Sequence, residues 1–213
     1  MNKHILLFSL LSLMSFLPMS KADSKHFPEQ DLMEFKIECV RNQVKKLITE
    51  FKTDEDINKF LKQKKLDKYF GIAERKKVKE ICANLGIQDK WLYAVIWFES
   101  RGNPKAVNPY SQATGLIQFM PRTASKLGTS VSDLSTMTVI EQLNYVEIYL
   151  KKWDDKYNLD SFLDTYLAVF YPAALGQSES FIIGSGKVVE QNKHVDKDND
   201  GILTVKDFTQ YIS

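Results

Sequence analysis

The chain has 213 residues, 44% of them hydrophobic and 26% charged, with a formal net charge of +2. These proportions fit a soluble globular protein with room for one ordinary domain and short additions, and they exclude a disordered or strongly polyionic chain. The near balance of charge leaves no footprint for a nucleic acid or an anionic membrane as partner.

In chain order, Lys3 and His4 precede Ile5 to Leu17, an apolar run relieved only by serine. Pro18 and the small-residue site Ser20-Lys21-Ala22 come next. These are the three parts of a secretory signal peptide, residues 1–22, cleaved after Ala22. The run is shorter than the ~20 residues that a membrane span requires. The expectation is an exported protein, periplasmic or secreted, with no stable membrane span after cleavage. Loss of Lys3 and Lys21 takes the 29 basic residues to 27, equal to the 27 acidic ones. Export permits Cys39 and Cys82 to pair, tying an N-terminal arm to the domain after it. Two separate buried thiols are the alternative, and the sequence does not decide between them.

Residues 29–51 place Met33, Ile37, Val40, Val44, Leu47, Ile48 and Phe51 at the three-and-four spacing of one helix face. Thr53 is set to cap a short helix through Ile57, Phe60 and Leu61. The lysine-rich stretch KQKKLDKYFGIAERKK reads as a solvated face and connector. A helix over about Lys77 to Asn84 stops at Gly86. Asp89 is expected to cap the helix that carries WLYAVIWFE. Thr138 and Glu141 form a T-x-x-E capping box, opening a helix whose inner face is Leu143, Val146, Leu150 and Trp153. Asp160 is expected to start a helix over FLDTYLAVF that Pro172 ends. No alternation is long enough for a large sheet. The fold class is therefore mainly α, with one short β-hairpin near Thr114 to Phe119. The divisions are a helical N-terminal arm over 23–76, a domain over 77–190 and a tail over 191–213.

One acid stands out. The segment Lys90 to Ser100 is apolar on nearly every side, so it should run through the core, and it delivers Glu99 to its C-terminal end. No other Asp or Glu occurs after it until Asp133. Desolvation against Trp97 and Phe98 and the negative pole of the helix both disfavour the ionised carboxyl. A group still protonated near neutral pH is what a general acid requires. A glutamate that caps backbone or pairs with Arg101 is the plainer alternative.

The residues around and after Glu99 carry a resemblance. Glu99-Ser100, then Gly115-Leu116-Ile117-Gln118, then Met120-Pro121-Arg122-Thr123-Ala124 occur in the order and at the spacing of the lytic transglycosylase family of peptidoglycan-cleaving enzymes. The chain resembles that family from about Val78 to Gly176. The resemblance implies a lysozyme-like α+β domain and peptidoglycan glycan strands as substrate. It also implies a single catalytic acid, Glu99, that first protonates the oxygen between N-acetylmuramic acid and N-acetylglucosamine. The same carboxylate then accepts a proton from the C6 hydroxyl as a 1,6-anhydro ring closes, with the substrate acetamido group in support. Catalysis needs no cofactor. Substrate contacts are implied for Ser100, Ser111, Gln118, Met120 and Tyr171; turn chemistry, a hairpin hydrogen bond and core packing are their ordinary alternatives. Gly115 is read as a backbone necessity at a tight turn. Where the family has Tyr-Asn, this chain has Tyr171-Pro172, a departure in the sugar-binding segment. Tyr-Pro-Ala-Ala variants are loosely associated with phage-type and secretion-associated members, which makes a secretion-apparatus or envelope protein a candidate partner. A hydrolytic muramidase on the same fold and a non-catalytic wall-binding module are the rival readings.

The tail holds DKDNDGILTVKD, residues 196–207, which resembles the EF-hand loop. Asp196, Asp198 and Asp200 would offer side-chain oxygens, Ile202 its carbonyl, Thr204 a direct or water-mediated contact and Asp207 the last carboxylate. Oxygen-only ligands suit Ca²⁺ in a structural role. Asp207, shorter than the usual Glu, implies weaker binding. A solvated Asp/Asn turn is the alternative. The segment before the loop is poorly helical, whereas VKDFTQYI is expected to form the exit helix.

Overall fold

A computed structural model describes residues 53–186, 189, 190, 193 and 195–212. The expected signal peptide, the helix expected over 29–51 and Cys39 lie outside those residues. The described architecture is mainly helical. Helices α1 (Asp54–Gln63), α2 (Ile72–Leu85) and α3 (Asp89–Ser100) come first. Two short helices, α4 (Pro121–Lys126) and α5 (Val131–Thr136), precede the long α6 (Val139–Tyr157) and α7 (Phe162–Phe170). A 3₁₀ turn, Pro172–Ala174, leads to an antiparallel pair, β1 (Ile182–Ser185) and β2 (Ile202–Thr204), and to α8 (Val205–Ile212). No helix of the described residues is long and apolar enough to cross a membrane.

Local chemistry sets the element ends. Thr53 caps α1 through a reciprocal bond with Asp56, and Thr138 and Glu141 close the expected box at α6. Gly86 ends α2 in the left-handed region, as expected. Two caps differ from expectation. Asp89 is the first residue of α3, and Gln88 holds the cap position without a side-chain bond; the Asp89 carboxylate instead accepts from the Lys90 N–H at 2.9 Å. Ser161, not Asp160, caps α7, accepting from the Asp164 N–H.

The helix α3 is the axis of the core. Every residue from Trp91 to Ser100 is buried. It packs against α2 and α7, while α6 packs against α2 and α7. The lysine-rich stretch is not merely a solvated connector. Leu66 and Phe70 within it are fully buried, and α2 already begins at Ile72. Phe60 meets Trp97 edge-on with ring centroids 6.5 Å apart, and Phe70 meets Tyr93 at 5.5 Å. The chain leaves α3 at Gly102, with φ +74°, where a Cβ would lie 2.3 Å from a Leu66 methyl. Only glycine permits this backbone to pass so close to the segment behind it. Cys82 is a free thiol buried on α2, and burial pushes its pKa far up.

The expected hairpin is reduced to a single pair. Thr114 and Phe119 exchange both backbone hydrogen bonds, at 3.0 and 2.8 Å, around the turn 115–118. The two-stranded sheet lies elsewhere, with Ile182 opposite Thr204 and Ser185 opposite Ile202 across an irregularity at 182–184. Its strands come too short and too far apart in sequence to leave an alternating signature. The tail joins the same core: Leu203, Val205 and Phe208 are buried, and Phe208 lies 5.2 Å from Phe170.

Candidate active site

The last turn of α3 presents Glu99, which is 2% exposed. Its Oε1 atom is shielded from solvent and has no hydrogen-bond partner. Burial raises the carboxyl from its ordinary 4.5 to about 8, and the Arg101 charge opposes that rise. Desolvation wins because water cannot reach the ionised form. No other carboxylate acts on it among the described residues. Glu99 is thus an acid that keeps its proton at neutral pH.

Polar side chains fasten the loop after α3. Ser100, 1% exposed, donates its hydroxyl to the carbonyls of Ile96 (3.1 Å) and Leu116 (2.8 Å). It therefore joins the end of α3 to the turn carrying Gly115-Leu116. The Gln118 amide donates to the Gly115 carbonyl at 3.0 Å and to Ala106 at 3.2 Å, with Gln118 itself at φ +53°. The Ser111 hydroxyl oxygen accepts from the Ala113 N–H at 3.2 Å. Met120 is half-buried at the cap of α4 and Tyr171 half-buried at the cap of α7. Ser100, Gln118 and Gly115 are thus brought into one bonded unit with the helix of Glu99. Ser111 is half-buried further along the loop, and Tyr171 is the residue that closes α7.

Gln142 was not foreseen in the sequence. Fully buried on α6, it receives the Leu116 N–H at 2.8 Å and donates to the carbonyls of Pro104 (2.6 Å) and Leu134 (2.7 Å). All three bonds go to backbone groups outside its own helix. A Cβ on Gly115 would lie 2.4 Å from the Gln142 oxygen, which is the specific reason for that glycine. The available signal was a polar residue on the inner face of a helix, four before Val146. Tyr149 was also missed. Its phenol donates to the Ala168 carbonyl at 2.8 Å. Burial pushes its pKa up to about 12, and the Glu99 charge pushes the same way, so the two groups share one environment. Arg101, noted in sequence only as a pairing option, stacks 3.9 Å above the Trp97 ring.

In the tail, carboxylate oxygens of Asp196, Asp198 and Asp207 lie within 4.8 Å of one another. Asp196 and Asp207 are 5% and 2% exposed. Asp200 faces the backbone, accepting from the Ile202 N–H at 2.8 Å. Thr204 donates its hydroxyl to Asp207 at 2.5 Å. Of the four expected carboxylate ligands, Asp196, Asp198 and Asp207 form the cluster and Asp200 is not part of it. A groove of about 380 Å³ lined by Ile57, Arg75, Asp89 and Tyr93 lies toward the opposite end of α3 from Glu99.

Comparison with known families finds that residues 77–168 match the model described as the transglycosylase SLT domain. No curated protein and no solved structure matches the chain.

The carboxyl ought to weaken the fold as it ionises. With its folded pKa above the unfolded value, the native state holds a proton that the unfolded chain has released between pH 4.5 and 8. Stability contributed at low pH is therefore lost as pH rises through that window and stays lost above it. Glu99→Gln removes the titration. At pH 9 it should melt above the parent by an amount corresponding to about 5 kcal/mol, with the gap closing toward pH 5. Thermal melts of both proteins across that range test this, and a gap independent of pH would place Glu99 among ordinary carboxylates.

Proposed function

We propose that this chain, whose residues 77–168 match the transglycosylase SLT domain, is an active, exported lytic transglycosylase acting on peptidoglycan, with Glu99 as acid and then base. The observation that carries this reading is the buried Glu99 carboxyl, with an unbonded oxygen and no second carboxylate acting on it among the described residues. A hydrolase of the common two-carboxylate kind needs a partner acid about 5–9.5 Å away. A single-acid route does not.

In that route the protonated Glu99 gives its proton to the bridging oxygen as the bond to the N-acetylmuramic acid C1 breaks. The substrate acetamido group supports the positive C1. The C6 hydroxyl of the same sugar then attacks C1, and the Glu99 carboxylate takes the hydroxyl proton. A 1,6-anhydro ring closes, no water is consumed, and the acid returns to its starting form. A pKa near 8 suits both halves, because the group is protonated at rest yet able to ionise during turnover. Ser100, Gln118 and Gln142 fix the loop beside it. Ser111, Gln118, Met120 and Tyr171 are the proposed sugar contacts, and Pro172 offers no side-chain donor there.

The tail loop is proposed to hold a calcium ion through Asp196, Asp198 and Asp207, a donor set of hard oxygens that fits such a cation. The ion would neutralise three crowded carboxylates and pin α8, through Phe208, against Phe170.

Digestion of purified wall sacculi with mass spectrometry of the products tests the chemistry. The expected products end in 1,6-anhydromuramic acid, lighter by one water than hydrolysis products, and Glu99→Gln should release at least ~100-fold less material. Reducing ends would assign a muramidase, and release by Glu99→Gln equal to the parent would remove Glu99 as the acid. For the loop, a chelator should lower the melting temperature and added Ca²⁺ restore it; no movement in either direction would remove the ion.

A further inference from the structure

We infer that Tyr149 is a positioning residue for the sugar site, acting through the Ala168 carbonyl to set where Tyr171 stands at the end of α7. The inference rests on the reading of Tyr171 as a sugar contact of the proposed transglycosylase.

The need for it arises from Pro172. In an α-helix each carbonyl accepts from the N–H four residues on. The Leu167 carbonyl is served in this way by the Tyr171 N–H, at 2.8 Å. The Ala168 carbonyl is next in line, and its donor would come from residue 172. Proline has no N–H, and it also turns the residue before it away from the helical region. Tyr171 accordingly closes α7 at φ −149° and ψ 76°. Ala168 is fully buried, so water cannot replace the missing donor. A buried carbonyl left without a partner destabilises the turn that carries it.

Tyr149 supplies the donor from another helix. Its phenol donates to the Ala168 carbonyl at 2.8 Å. Burial pushes its pKa up to about 12, so the phenol keeps its proton at neutral pH. Two neighbours set the ring: Phe119 meets it edge-on with centroids 5.8 Å apart, and Trp153 does so at 6.4 Å. Phe119 stands between Gln118 and Met120 in the chain, and Ala168 stands one helical turn before Tyr171. One tyrosine thus touches both segments that carry proposed sugar contacts. The rest of the helix end is tied as well. The Tyr171 carbonyl accepts from the Ala174 N–H at 2.9 Å in the 3₁₀ turn. On α7, Tyr166 meets Phe98, the residue before Glu99, at 6.3 Å.

A phenylalanine would fill the space of Tyr149 and keep both ring contacts. What the hydroxyl adds is the bond to Ala168, which reaches a single point in the last turn of α7. Losing the hydroxyl therefore loosens that turn and leaves the packing in place. Where the lytic transglycosylase pattern has Asn, Pro172 removes a backbone donor, and a side chain from α6 takes its place.

The test is a set of variants assayed on soluble, un-crosslinked glycan strands of N-acetylmuramic acid and N-acetylglucosamine, well below each melting temperature. Tyr149→Phe should lower kcat/KM about tenfold. In a chain already carrying Tyr171→Ala, the same change should cost less than about twofold, because the group it positions is gone. In a chain carrying Pro172→Ala, α7 can run one residue further and the N–H at 172 can serve Ala168. Tyr149→Phe should again cost less than about twofold there. A merely structural tyrosine would cost the same factor in every background. A tenfold cost that persists in either one overturns the proposal, as does an unchanged kcat/KM in Tyr149→Phe alone. Should Tyr149→Phe fail to fold, adding Pro172→Ala should restore folding, and a pair that stays unfolded overturns the proposal too. Full activity in Tyr171→Ala would instead remove the sugar contact on which the inference rests. An inactive parent, or full activity in Glu99→Gln, would remove the proposed function itself.

Discussion

A carboxyl held out of water at the end of a helix that is itself buried on every side is the constraint to which the rest of the molecule is fitted. Placing Glu99 there disfavours its ionised form by several kcal/mol. The surroundings must make up that loss through contacts unrelated to chemistry. Trp91 through Phe98 each sit in the core, and a fully buried large apolar side chain contributes roughly 1.5–3 kcal/mol. The burial that stabilises α3 is thus the same burial that desolvates its last acidic residue. Stability and acidity have one origin, and neither can be changed without the other.

The segment before the matched domain takes part in this arrangement. Phe60, Leu66 and Phe70 lie outside residues 77–168, yet they cover Trp97, Gly102 and Tyr93 on the back of α3. On the front, the chain from Gly102 to Met120 has almost no regular structure to satisfy its backbone. It is held instead by side chains. Gln142 gathers three backbone groups from three separate places in the chain, Ser100 donates to the Leu116 carbonyl, and Gln118 closes its own turn. Leaving such buried groups unpaired would cost about 1–3 kcal/mol each. A loop fixed in this way is rigid without being part of a sheet, which suits its proposed role of orienting a sugar beside a proton donor.

The parts legible in sequence were those written in neighbouring residues. The run WLYAVIWFES announced a buried helix ending on an acid, and the box at Thr138 and Glu141 and the stop at Gly86 stand as expected. Neighbouring residues with equal aptitude caused the error at the α7 cap. Asp160 and Ser161 can both accept from a helix N–H, and only the backbone angle shows that Ser161 does. Leu66 and Phe70 were hidden because six lysines and an arginine dominate the stretch from Lys62 to Lys77, though two apolar side chains suffice to bury it. Gln142 and Tyr149 were missed for a different reason. Their partners, Leu116 and Ala168, are 26 and 19 residues away, and no local pattern encodes which backbone group a polar side chain will meet.

The most direct measurement is the ionisation of Glu99 itself in the free protein, monitored by isotope-edited infrared or carbon NMR spectroscopy of its carboxyl, with Glu99→Gln identifying the signal. The expected midpoint is near 8, with the protonated carboxyl dominant at pH 7. A midpoint in the ordinary carboxylate range near 4.5 would mean that the side chain meets water, and a lone acid-then-base could not work from there.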